Sequence, residues 1–187
     1  MKYLIAGLGN IGPDYHNTRH NIGFMVLDAL AEASNTSFQD KRYGMVSEFR
    51  FKGRNFILLK PSTFVNRSGL AIHYWLKKTK LTPENLLVVL DDIALPFGTL
   101  RIRPKGGDGG HNGLANINAV LGTNNYARLR FGIGNDFYTG QQVNYVLSEW
   151  TPEETNELNE KLKTCADIIK SFGTIGLELT MTSFNKR

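Results

Sequence analysis

Apolar and polar positions change period several times along the chain, and the changes mark out its elements. Tyr3 to Leu8 is a short, nearly continuous apolar run stopped by glycines, which predicts a strand covered on both faces. From Asn21 the apolar positions Ile22, Met25, Val26, Ala29, Leu30 and Ala33 recur at helical spacing, and Ser34-Asn35 ends that helix. Met45 to Phe51 and Phe56 to Leu59 flank Lys52-Gly53-Arg54-Asn55, a hairpin signal. Ser68 to Lys78 reads as a helix carrying Leu70, Ile72, Tyr74, Trp75 and Leu76, with lysines at the end that suits its dipole.

A second buried run, Leu86 to Leu90, lands on Asp91-Asp92. Leu100 to Arg103 alternates as a strand does, and it precedes the densest glycine stretch, Gly106 to Gly113. Leu114, Ile117, Ala119, Val120 and Leu121 give a helix closed by Gly122, and Leu129 to Ile133 gives a further strand. Thr151-Pro152-Glu153-Glu154 combines an N-cap, a first-turn proline and a glutamate at the third helical position. The helix it opens buries Leu158, Leu162, Cys165, Ile168, Ile169 and Phe172. Strands alternating with helices predict one compact α/β domain over residues 1–187, with a mixed, mostly parallel twisted sheet flanked by helices.

Composition narrows the function classes. The 187 residues are 41% hydrophobic and 21% charged, which excludes disorder. The single cysteine, Cys165, excludes a disulfide framework and a cysteine-based metal site, and it suits a reducing compartment. No apolar run approaches the roughly 20 residues of a membrane span, and the first residues lack a signal-peptide core, so a cytoplasmic protein away from membranes is expected. A formal charge of +5 permits a nucleic-acid partner without requiring one.

Several motifs carry chemistry. Gly7-Leu8-Gly9-Asn10-Ile11-Gly12 matches the spacing of a dinucleotide-binding loop. Gly12-Pro13-Asp14-Tyr15 is turn chemistry, however, and no helix opens there to face a pyrophosphate; Asp28 falls inside a helix instead of after a second strand. The alternative is a flexible loop that lets Asn10 approach a partner closely. His16 and His20 stand four apart, a spacing that could hold a metal on a helix, but their polar surroundings read as loop and no third ligand follows. His20 alone is a candidate general base, set in a polar loop directly before a helix. Arg101, Arg103 and Lys105 fall on one strand face, and Arg128 and Arg130 repeat the pattern. Beside a glycine loop that opens a helix, two such faces point to phosphate binding. Asp91 ends a buried strand, where it could orient a histidine or cap a turn.

Taken together, five blocks resemble the bacterial peptidyl-tRNA hydrolase family. They are Gly7-Leu8-Gly9-Asn10 with Gly12, Tyr15 and Thr18-Arg19-His20-Asn21; Lys60-Pro61 with Thr63-Phe64, Asn66 and Ser68-Gly69; Asp91-Asp92 with Leu95-Pro96 and Gly98; Gly109-Gly110-His111-Asn112-Gly113-Leu114; and Arg128-Leu129-Arg130 with Gly132-Ile133-Gly134. They occur in family order over about 130 residues, and the length suits a complete member. The resemblance implies hydrolysis of the ester between a peptide and the 3′ ribose of tRNA, without metal or cofactor. It implies His20 as base, Asp91 as its orienting carboxylate and Asn10 as an amide at the reacting centre. Asn66 and Asn112 would hold the peptide end; Tyr15, Phe64, His111 and Gly109 would line the cleft; Arg103 and Arg130 would face tRNA phosphate. The expected partner is the acceptor end and 3′ CCA of peptidyl-tRNA, and the protein is expected to act as a monomer.

Three departures stand out: Ala94 where many members carry Asp, Asp108 within the glycine loop, and Arg101 and Arg103 in place of lysines. A competing class is the non-enzymatic relative that uses the same scaffold as an RNA-splicing adaptor. Such a protein would not need His20, Asp91 and three asparagines together, and this chain keeps all five.

Overall fold

The computed structural model describes residues 1–185. In chain order the strands are β1 (Lys2–Gly7), β2 (Gln39–Lys41), β3 (Gly44–Phe51), β4 (Arg54–Pro61), β5 (Leu86–Asp92), β6 (Leu100–Arg103) and β7 (Ala127–Gly132). The helices are α1 (Ile22–Ala33), α2 (Ser68–Thr79), α3 (Asn112–Leu121), α4 (Gln142–Val146), α5 (Pro152–Ile175) and α6 (Leu177–Phe184). One seven-stranded sheet runs in the order β2-β3-β4-β1-β5-β7-β6. Its centre, β4-β1-β5-β7, is parallel, while β2-β3, β3-β4 and β6-β7 pair antiparallel.

The continuous apolar runs divide their side chains between two faces, as a pleated strand requires. Ile5, Phe56, Leu58, Leu87 and Val89 meet the core under α1 and α5, with Leu27, Leu30, Ile169 and Phe172. Leu4, Ala6, Ile57, Leu59, Val88 and Leu90 meet a second core with Ile72, Trp75, Leu114 and Ile117 of α2 and α3. Past β5 this second face changes character. Ala127, Leu129 and Phe131 of β7 still pack into the first core, but the alternate positions are Arg128 and Arg130. In the β6–β7 register Arg101 lies opposite Arg130 and Arg103 opposite Arg128, so four arginines share one face. Arg103, Arg128 and Arg130 line a cleft there instead of facing a helix.

The glycines of the first motif serve packing. A Cβ on Gly7 would stand 2.3 Å from the Gly23 carbonyl oxygen, so the pair lets α1 lie against β1. A Cβ on Gly9 would meet the Phe24 ring at 2.8 Å. The hairpin turns at Lys52 and Gly53, both at positive φ, as a two-residue hairpin loop demands. Thr151 and Glu154 close a reciprocal capping box at the start of α5.

Candidate functional site

The site lies at the carboxyl ends of the parallel strands, where loops from several strands converge. A cavity of about 590 Å³ is lined by Asn10, His20, Phe64 and Asn66. Asp91, His111 and Asn112 line it too, as do Arg103, Lys105, Arg128 and Arg130.

Asp91 organises the centre. It is the sixth residue of β5 and only 3% exposed. Its Oδ2 accepts from His20 Nδ1 at 2.8 Å, and its Oδ1 accepts from His111 Nε2, also at 2.8 Å. The two rings lie 5.3 Å apart between centroids. Burial alone would raise the Asp91 pKa, but the two histidines outweigh it and hold the carboxyl well below its ordinary range. For His20, burial alone would lower the pKa; the charge of Asp91 and its hydrogen bond outweigh this and leave it raised.

The hydrogen bonds assign both tautomers. His111 is the N-cap of α3, and its Nδ1 accepts from the Gly113 and Leu114 N–H groups, so its proton sits on Nε2. His20 donates from Nδ1 to Asp91, which leaves Nε2 as an acceptor. Of the four ring nitrogens, His20 Nε2 is the one with no partner among the described residues.

The ligand atoms of His20, Asp91 and His111 lie within 4.8 Å of one another. Both nitrogens that face the carboxylate are spent on hydrogen bonds to it, so a cation there would have to displace the arrangement that sets the tautomers.

Asn10 is held as firmly. Its N–H and C=O bond the two ends of the Asn21 amide at 2.8 and 2.9 Å, and its own Oδ1 accepts from the Val65 N–H at 2.8 Å. The amide nitrogen is the end left for the cleft. Asn66 and Asn112 are exposed on the cleft wall. Phe64 is half-exposed there, and Gly109 and His111 also line it.

Three expectations need correction. Tyr15 is not among the residues lining the cleft; its ring stands edge-on to Phe64, 6.2 Å between centroids, and supports that wall from behind. Arg128 is not free to bind phosphate with its strand face. It is 2% exposed, lies over the Tyr126 ring and donates to the carbonyls of Gly107 and Asn124, so it braces the glycine loop. The α3 N-terminus does not offer all its donors to an anion either, because His111 Nδ1 already takes the Gly113 and Leu114 N–H groups. Arg130 remains in the cleft, ion-paired to Asp92, and Arg103 is exposed. His16 borders a separate recess with Ile11 and Phe24, so the structure does not bring it together with His20.

The same architecture occurs in known proteins. A family model described as Peptidyl-tRNA hydrolase matches residues 4–187. The chain belongs to the peptidyl-tRNA hydrolase family. Hydrolysis of the ester bond of peptidyl-tRNA is the activity of that family. The chain is 59% identical to the peptidyl-tRNA hydrolase of Bacteroides fragilis over 187 residues, covering all of both proteins. It is 53% identical to that of Cytophaga hutchinsonii, again over the whole of both. Its fold superposes on the Acinetobacter baumannii peptidyl-tRNA hydrolase with a TM-score of 0.92 at 30% identity, covering 98% of this chain and 94% of that one. A Campylobacter jejuni nucleosidase shares the fold alone, with a TM-score of 0.51 at 10% identity. Among the described residues no helix is long and apolar enough to cross a membrane.

Two contributors went unassigned at the level of sequence. Asn21 fixes the Asn10 backbone from the next turn, and Arg19 leaves the same turn in the opposite direction. Both sit in the Thr18-Arg19-His20-Asn21 block, so the signal was present, but their partners are distant in sequence.

Proposed function

We propose that this chain hydrolyses the ester joining a peptide to the 3′ ribose of tRNA, with His20 as the general base. The observation that carries this reading is the orientation of His20. Its Nδ1 is committed to an ionised Asp91, which leaves Nε2 to take a proton from water. Asp91 holds the tautomer and stabilises the imidazolium that forms, and His111 holds Asp91 from its other oxygen.

As Nε2 takes the proton, the water oxygen attacks the ester carbonyl and charge develops on the carbonyl oxygen. Asn10 can present only its amide nitrogen, a neutral donor already fixed in place, and so suits that oxyanion. Collapse breaks the bond to the ribose oxygen, which leaves as an alkoxide and takes the proton held on His20 to become the free hydroxyl. Asn66 and Asn112 read the peptide amide beside the ester, with Phe64 as an apolar wall supported by Tyr15. Sites built to bond an amide reject a ligand that lacks it, which spares unblocked aminoacyl-tRNA. The backbone at Gly109 leaves room for the acceptor end and its CCA, and Arg103 and Arg130 take its phosphates. The reaction requires no cofactor and no second subunit, and the setting is the cytoplasm.

The test is release of tRNA from an N-acyl-aminoacyl-tRNA, with unblocked aminoacyl-tRNA as control. Wild-type protein is expected to act on the first and spare the second, and to act on a short acylated 3′ fragment as well in EDTA as without it. His20→Ala is expected to lose about 10²–10⁴-fold in kcat while staying folded. Failure to release tRNA, or full turnover by His20→Ala, refutes the reading.

A further inference from the structure

Three successive side chains of the turn before α1 reach three separate parts of the molecule. His20 meets Asp91 at the end of β5, and Asn21 holds the backbone of Asn10. Arg19 points the other way, into the junction between α4 and α5. Although charged, it is only 5% exposed. Its Nη1 donates to Ser148 Oγ and to the Glu149 carbonyl, and its Nη2 donates to Glu154 Oε1 at 2.6 Å. The guanidinium carbon lies 4.5 Å from the centre of the Tyr145 ring and 5.7 Å from that of Trp150. The backbone joins as well: the Arg19 N–H donates to the Ser148 carbonyl at 3.0 Å, and Thr18 bridges Glu149. Glu154 Oε1 also accepts from the Thr151 N–H, so one carboxylate both caps α5 and holds Arg19.

What this buried ion pair secures is geometry. Gln142, Val143 and Val146 of α4, with Leu147, line the same cleft as His20. One guanidinium therefore fixes both the turn that carries His20 and the wall beside it. A buried pair adds little net stability over apolar replacements, but breaking one is costly. A lysine could supply the charge and not the planar fork that meets three acceptors while lying on an aromatic ring.

We propose that Arg19 is a positioning residue for the reaction, holding His20 on Asp91 and the α4 wall against the substrate through Ser148, Glu149 and Glu154. This rests on His20 as the base. The titratable groups facing His20 are Asp91 from β5 and His111 from the start of α3; α4 carries Tyr145, whose ring lies against Arg19 and whose hydroxyl donates to the Ile133 carbonyl, and the Arg19 charge is balanced by Glu154.

The test compares Arg19→Lys and Glu154→Gln with wild type in the full chain. It measures kcat and KM on N-acetyl-aminoacyl-tRNA from about pH 5 to about pH 9, together with the folded fraction at assay temperature. Arg19→Lys is expected to lose about tenfold or more in kcat, since a misplacement of about 1 Å can cost as much as about 10²-fold. Its acid limb is expected to move to lower pH, because a His20 loosened from Asp91 loses the charge that raises its pKa. Glu154→Gln keeps an acceptor for Arg19 and for Thr151, and should fall between the two. Wild-type kcat in Arg19→Lys overturns the proposal. So does activity lost only in proportion to the unfolded fraction with the acid limb unmoved, since that is a purely structural role. Should Arg19→Lys fail to fold, Glu154→Gln is judged by the same limb: a shift supports the proposal and no shift overturns it. His20→Ala in the same assay reports on the base separately, since full activity there refutes the base whatever Arg19 does.

Discussion

Asp91→Asn isolates the charge at the centre of the site while keeping its size. The native carboxylate accepts two hydrogen bonds, one from His20 Nδ1 and one from His111 Nε2, each at 2.8 Å. An asparagine offers one acceptor and one donor, so one of the two ring N–H groups meets an N–H. His111 cannot move its proton to Nδ1 without opposing the Gly113 and Leu114 N–H groups. The conflict therefore falls on His20, whose proton shifts to Nε2 and blocks the base. In a serine protease the same tautomer trap costs about 10⁴-fold in kcat. Here His20 stays in place although its tautomer is wrong, and a loss of about 10²–10³-fold is expected, between wild type and the fullest loss in His20→Ala. The pH profile supplies a second readout. Catalysis needs neutral His20, so the rate is full above its folded pKa and falls as pH drops through it. With Asp91 present the limb lies above the ordinary histidine value of 6.5. Without the charge, burial acts alone and the limb moves below that value. Steady-state kinetics on an N-acetyl-aminoacyl-tRNA from about pH 5 to about pH 9 read both effects. A kcat within about threefold of wild type, or an unmoved acid limb, would refute the reasoning, since either is far below the expected loss.

Two further predictions separate capture and folding from chemistry. Arg103→Ala and Arg130→Ala should each weaken tRNA binding and flatten its log–log salt dependence by about 0.7–0.9, with unchanged slopes ruling out a phosphate contact at that residue. Gly7→Ala should cost about 1–3 kcal/mol or more in chemical denaturation, because its methyl meets the Gly23 backbone at 2.3 Å, whereas Gly107→Ala, with nothing within 4 Å, should change stability by less than about 0.5 kcal/mol; equal effects from the two would refute the close-approach argument.

Much of the scaffold was legible because its determinants are local. The apolar runs of β1 and β5, the turn at Lys52-Gly53 and the Thr151–Glu154 cap are each written within a few residues. The motif blocks likewise marked His20, Asp91 and the three asparagines before any contact was known. Elements without a local signal went unread. The polar, exposed β2 has no alternation, α4 buries no residue, and α6 buries only Thr180. The roles within the site were decided by tertiary structure. Arg128 and Arg130 share a strand face and both border the cleft, yet one is spent on bracing the glycine loop over Tyr126 while the other pairs with Asp92. His111 reads as a cleft histidine, but the start of its own helix takes Nδ1 and Asp91 takes Nε2. His20 and Asp91 lie 71 residues apart, and Arg19 and Glu154 lie 135 apart. A side chain's chemistry is set by residue type, whereas its tautomer, charge and free atoms are set by what the fold places within about 3 Å. That short-range set is assembled by strand order and helix packing, which couple distant segments that no local pattern in the chain connects.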